Sequence, residues 1–227
     1  MFLGKRLSAL TAGPCRALAA AAALALAAGC YSGDKKDLIT IGGVFSMTGE
    51  GHRPGLDGAN GASLAAAEAN GNGGVSGRRL DLVVHNDAGD PARALRLYSS
   101  LVEKGAVAVL GSGAGALASA LGVVAEPDAA LLVVPAPPGA ADSRPYVHIQ
   151  RPAPLDGKNP DLERVVRDHL DKLFRPPPPG SISSYLCTRR LMEAIGGAGG
   201  AGRGAVFSAV EGMGQGDRAA RAGGGGG

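Results

Sequence analysis

The chain has no tryptophan and only four phenylalanines and four tyrosines in 227 residues. A core without large rings must be assembled from Ala, Val and Leu, and its elements have to approach closely to fill space. Cysteine is nearly as scarce, at Cys15, Cys30 and Cys187; three scattered thiols exclude a disulfide framework. His52, His85, His148 and His169 lie too far apart to complete a metal-ligand spacing, so no metal site is expected. Gly-x-Ser-x-Gly, His-Glu-x-x-His and P-loop patterns are all missing. Asp87 and Asp90 are not an acid–base pair on this reading, since Asp90 precedes Pro91 as a helix cap and Asp87 is a turn residue. With no nucleophile and base that the sequence brings together, no catalytic residue, no cofactor and no enzymatic activity are expected.

A net charge of +3 invites a nucleic-acid reading, which the N-terminus removes. Residues 1–29 hold Lys5, Arg6 and Arg16 and no acidic residue, so the remainder carries 20 basic and 20 acidic side chains. No basic block is left to follow a phosphate backbone. The basic start, the apolar run Ala17–Ala28 and the small residues after it read as a secretory signal, too short to span a bilayer. The site Leu26-Ala-Ala-Gly-Cys30 resembles a bacterial lipobox, with Leu one position further from the Cys than usual. That resemblance implies an exported protein, periplasmic or on the cell surface, lipidated at Cys30 and held to a membrane by its lipid.

What the chain does have is glycine, 38 residues of it, used largely as punctuation between apolar runs. Residues 30–37 form a polar tether. Leu38–Phe45 is a near-continuous apolar strand, as expected for one buried on both faces. Gly55–Asn70 reads as a helix with a thin face at Leu56, Ala59, Ser63, Ala66 and Ala67. Leu80–His85 is a second strand. Asp90 and Pro91 open a helix to about Lys104, offering Ala94, Leu95, Leu97, Tyr98, Leu101 and Val102 to a sheet. Val107–Leu110, Gly115–Ala125, Leu131–Val134 and Tyr146–Ile149 continue as strand, helix, strand and strand. Such alternation predicts an α/β fold, a doubly wound parallel sheet over 38–150. Asp161–Phe174 is a one-faced helix, Pro176–Pro179 a stiff segment, and Tyr185–Ile195 a short helix. The glycine-rich 200–227 is expected to be a disordered tail.

With these residues placed, the chain resembles the periplasmic leucine/isoleucine/valine-binding proteins, the substrate-binding lipoproteins of branched-chain amino-acid ABC importers. The resemblance runs through Thr48-Gly49, Gly55, Gly61, Asn70-x-x-Gly73-Gly74-x-x-Gly77-Arg78-x-Leu80, Asp87-x-x-Asp90-Pro91-x-x-Ala94, Val109-x-Gly111 and Val134-Pro135. A weaker echo lies at Tyr185-x-x-x-x-x-Leu191-x-Glu193-Ala194-Ile195-x-x-Ala198-Gly199. It implies a two-lobed clamshell that closes on an amino acid or related amide and passes it to a permease, without covalent chemistry. It also implies that 38–150 is the first lobe and 151–199 a remnant of the second, which is incomplete. Ligand contacts are then expected at Ser46, Thr48, Ser112, Gly113, Gly115 and Ala136. The family's gripping hydroxyls fall at Gly115 and Pro138, a first-loop aromatic at Pro54, and a frequent cysteine pair at Gly89 and Ala114. The competing expectation is a single-lobe interaction module, or a truncated remnant that binds nothing.

Overall fold

The computed structural model describes residues 38–49, 52–123, 130–134, 145–150, 163, 166–167, 176–199 and 201–223. The expected signal and tether, Cys30, Ala136 and Pro138 lie outside the described residues. Of the helix expected over 161–174, only 163, 166 and 167 are described, all helical.

Strand β1, Leu38–Phe45, is the axis of the fold. It pairs in parallel with β2, Arg79–Asn86, from Leu38↔Arg79 to Phe45↔Asn86. On its other side it pairs in parallel with β3, Ala108–Ser112. The five-stranded sheet has the order β2-β1-β3-β4-β5, with β4 at Ala130–Val134 and β5 at Tyr146–Gln150. The expected α/β architecture is present with one difference, because β4 runs antiparallel to both neighbours. Length explains it. The helix meant to carry the chain back, α3 (Ala116–Ala120), is five residues rather than eleven. At 1.5 Å per residue it advances roughly 7 Å, less than half the length of a five-residue strand. It ends where Gly122 adopts φ +65, the left-handed conformation that terminates helices.

Strand alternation distributes the apolar side chains over two faces. Ile39, Ile41 and Phe45 point to one, where α1 (His52–Gly71), α4 (Pro179–Gly197) and α5 (Arg203–Gly223) cover them. Val44, Val109 and Val133 point to the other, against α2 (Pro91–Glu103) and α3. Leaving β1 toward β2 and returning toward β3 reverses the winding direction, which places α1 and α2 on opposite faces.

The faces of two helices differ from expectation. Leu56 and Leu95 are exposed, at 41% and 42%. Helix α1 buries Gly55, Gly58, Ala59, Gly61, Ala62 and Ala65 instead, a stripe of small residues. The reason is α4, which crosses α1 so closely that a Cβ on Gly61 would lie 2.0 Å from the Ser181 carbonyl oxygen. Helix α4 starts inside the proline run, with Pro179 at its first position, and buries Ile182, Tyr185, Leu191 and Ile195 in the same core as β1. In its described part, the expected remnant of a second lobe is therefore a helix of this lobe. The expected disordered tail is likewise corrected over Arg203–Gly223, which is α5. Val206 and Val210 are buried, and Phe207 meets Tyr146 edge-on with ring centroids 6.3 Å apart. Their i, i+4 spacing is helical, and glycine content hid it.

Local chemistry fixes the joints. Asn70 donates to the Leu80 carbonyl and accepts from its N–H at 2.9 and 2.8 Å, so one side chain starts β2 as a neighbouring strand would. Gly74, at φ +79, lets the turn close against Arg78 where a Cβ would meet the carbonyl oxygen at 2.1 Å. Arg78 then donates to the Leu38 carbonyl at 2.8 Å, tying the turn to β1.

Candidate ligand-binding site

In an open α/β sheet, the strand ends leave a crevice where the winding direction reverses, and for this strand order that point lies between β1 and β3. A cleft of about 460 Å³ occupies it. Its wall comes from the residues just past the two strands, Ser46 and Ser112, from Gly115 and Ser119 around α3, and from Pro54 and Pro91 at the starts of α1 and α2. Carboxyl-end loops build it, so the sheet holds its residues while their side chains remain free to differ.

Ser46 is fixed from two sides. A Cβ on Gly55 would lie 2.1 Å from the Ser46 carbonyl oxygen, so the first turn of α1 rests directly on this backbone. On the other side Ser46 Oγ accepts from the Ala116 N–H at 3.4 Å, a link between positions 70 apart that spans the switch point. Ser46 is 8% exposed as a residue, and its hydroxyl's own proton remains available. Ser112 is 5% exposed and also lines the cleft. Two donors at the start of α3 are engaged internally, since Gly115 N–H donates to the Ser112 carbonyl and Ala116 N–H to Ser46 Oγ.

Of the residues expected to touch ligand, the structure brings Ser46, Ser112 and Gly115 together in the cleft. Thr48 and Gly113 are placed differently. Thr48 Oγ1 accepts from Asn86 Nδ2 at 2.8 Å, while Asn86 Oδ1 accepts from the Met47 and Ala88 N–H groups. Thr48 thereby holds the loop after β1 against the end of β2. Gly113 is buried in the turn between β3 and α3 and does not line the cleft. The reading from sequence missed Ser119, Gly89 and Pro91 as cleft residues; the dipeptide spacing of Gly89 and Pro91 at a helix start was the available signal. Gly89 and Ala114 both face the cleft.

Asp87 and Asp90 serve the loop that presents Gly89. Asp90 Oδ1 accepts from the Ala92 and Arg93 N–H groups, the cap expected from sequence. Asp87 is fully buried; its Oδ1 accepts from Gly89 N–H at 2.9 Å and its N–H donates to the Phe45 carbonyl. Its Oδ2 has no partner among the described residues. No group of three or more metal-ligating side chains gathers among the described residues.

The family model for periplasmic binding proteins matches residues 38–155, slightly more than half the chain. The chain belongs to the periplasmic binding protein family. Among solved structures, the isoleucine complex of the branched-chain amino acid transporter substrate-binding protein LivJ from Streptococcus pneumoniae is 31% identical. That match covers 37% of this chain and 25% of that one, with a TM-score of 0.35. An extracellular ligand-binding receptor from Verminephrobacter eiseniae is 23% identical over 35% of this chain and 23% of its own, with a TM-score of 0.33. A structure from Rhodospirillum rubrum, named for a branched-chain amino acid ABC transporter, matches 76% of this chain and 88% of its own at 13% identity and a TM-score of 0.58. That last likeness shows the fold of a periplasmic binding protein lobe. This periplasmic binding protein spans about a quarter of the length of the LivJ and Verminephrobacter chains. A search of curated proteins finds no match. Periplasmic binding proteins work outside the cytoplasm and are as a rule not enzymes.

Proposed function

We propose that this protein is an extracytoplasmic solute-binding lipoprotein, anchored through Cys30, that captures an amino acid or a related amide for an ABC permease. The observation that carries the reading is the cleft at the β1/β3 switch point, with the buried serines Ser46 and Ser112 in its wall. Its 460 Å³ falls within the usual range for small-molecule sites, roughly 300–1,000 Å³. Capture here needs no covalent step: among the described residues, serines, glycines, prolines and alanines line the cleft and no base stands beside a hydroxyl. The alternative is a single-lobe interaction module or a remnant that binds no solute.

Calorimetric titration separates the two. The chain, purified in mild detergent, is titrated with leucine, isoleucine, valine and their amides. Saturable heat at one ligand per chain is the expected result, and one ligand per two chains indicates a cleft shared between copies. A folded chain giving flat heats with the whole set loses the solute-capture reading and leaves the interaction module. A single lobe offers its ligand half an enclosure, so association costs weigh heavily and micromolar or weaker affinity is expected.

A further inference from the structure

Two loops that wall the cleft leave neighbouring strands, and one side chain ties them together. The last paired residues of β1 and β2 are Phe45 and Asn86. Beyond that pair the chain leaves the sheet on both strands, and the two loops bring Ser46 and Gly89 to the cleft. Asn86 Oδ1 accepts from the Met47 N–H at 2.9 Å and from the Ala88 N–H at 3.0 Å. One oxygen thus holds the residue after Ser46 and the residue before Gly89. Its Nδ2 donates to Thr48 Oγ1 at 2.8 Å, and the three bonds together fix which way the amide faces.

The loops do not hold this shape by their own preference. Ala88 sits at φ +56, in the left-handed region that an alanine enters at a cost. Gly49 and Gly89, at φ +90 and +80, have the widest conformational choice of any residue. Backbone strain persists where the surrounding structure over-determines it, and it gathers at ligand sites. Asn86 supplies that determination from outside, since it does not itself line the cleft.

We propose that Asn86 is a positioning residue for capture, which holds Ser46 and Gly89 in the arrangement that receives the solute, so that the cleft is formed before the solute arrives. The inference rests on the solute-capture reading and names the side chain that presets the site. Without the amide the two loops take up other conformations, and affinity falls with the fraction of chains that still present the cleft.

Asn86→Ala, Asn86→Asp and Val210→Ala are compared with the parent in the full chain purified in detergent. Each is titrated calorimetrically with leucine and with leucinamide, melted, and followed by hydrogen exchange in peptides covering 46–49 and 86–90. Residue 86 is half-buried, so Asn86→Ala stays folded. It is expected to bind roughly three- to tenfold more weakly, with faster exchange in both segments. Asn86→Asp keeps an oxygen for both N–H groups, and the Thr48 hydroxyl donates to its other oxygen. That variant is expected to stay within about twofold of the parent. Val210→Ala removes buried methyl groups from α5, which supplies no cleft residue, and is expected to lower the melting temperature with affinity unchanged. Unchanged exchange in either loop of Asn86→Ala overturns the inference, as does an Asn86→Asp as weak as Asn86→Ala or a Val210→Ala that loses affinity equally. Parent chain that gives no heat with either probe overturns solute capture together with this inference. Parent binding with undiminished affinity in Asn86→Ala overturns this inference alone.

Discussion

At the scale of single residues, the sequence speaks plainly where partners are neighbours and poorly where they are distant. Cys187 shows what burial alone does. It sits inside α4 with no exposed surface, and burial pushes its thiol up to about 12 against a weaker opposing pull from Arg190. In the unfolded chain a thiol ionises near pH 9, roughly its ordinary value. Between about pH 9 and 12 the unfolded state therefore releases a proton that the folded state keeps, and stability falls as pH rises. Tyr98, raised by burial against the pull of Arg203, acts in the same direction above about pH 10. The denaturant midpoint is expected to hold level from about pH 7 to 8.5 and decline by pH 11, with a shallower decline in Cys187→Ala. Peptide mapping after a thiol reagent at about pH 8 is expected to leave Cys187 unmodified until denaturant is added. Rapid native labelling, or a level midpoint to pH 11, contradicts this account. Asp90 with Pro91 was legible because a cap is a local device. Thr48 was not, because its use depends on Asn86, 38 positions away. The close approach of Gly115 to the Ser112 hydroxyl was hidden although the two are three residues apart, since it lies in the space between them.

At the scale of elements, β1, β2 and α2 could be read nearly to the residue, since apolar continuity and a cap announce them. The direction of β4 could not, because it turned on how soon α3 stops. The packing face of α1 was misread for a related reason. An apolar periodicity rule favours Leu56, whereas the close crossing of α4 selects for the smallest side chains. Two glycines in helices make this testable. Intrinsic propensity says that Gly→Ala stabilises a helix interior by about 0.5–1 kcal/mol. At Gly196 in α4 the added methyl would find only Val75, at 3.9 Å, and that gain is expected. At Gly61 the same change would set Cβ 2.0 Å from the Ser181 backbone and force α1 and α4 apart. Gly61→Ala is expected to cost about 1–3 kcal/mol, the usual range for overpacking. Denaturant unfolding of the two variants measures both signs; a stabilising Gly61→Ala would mean that the helices do not cross this closely.

At the scale of the whole molecule, the question is what completes a lobe that binds at its open edge. The crevice needs the ends of β1 and β3 held rigidly, and both strands depend on the layer beneath them. That layer is discontinuous in sequence: α1 comes from the start of the described chain, α4 and α5 from its end. The C-terminal helices are thus as much a part of the sheet's cover as the first crossover. Helix α5 contributes Val206 and Val210, both buried, the Phe207 contact with Tyr146, and Arg203, which donates to the Val102 carbonyl at 2.7 Å and so secures the end of α2. Burying two valines is worth about 3–6 kcal/mol by transfer values, an upper estimate. A charged hydrogen bond adds about 1.5–3 kcal/mol. Together these approach the whole stability of an ordinary domain, about 5–15 kcal/mol. A chain ending at Gly202 is therefore expected to lose its cooperative thermal transition and its near-ultraviolet circular dichroism while keeping part of its helical signal. If it instead melts cooperatively within a few degrees of the full chain, α5 is an accessory and the lobe is complete at α4. The same shortened chain would then be the smallest form in which to measure the cleft's affinity.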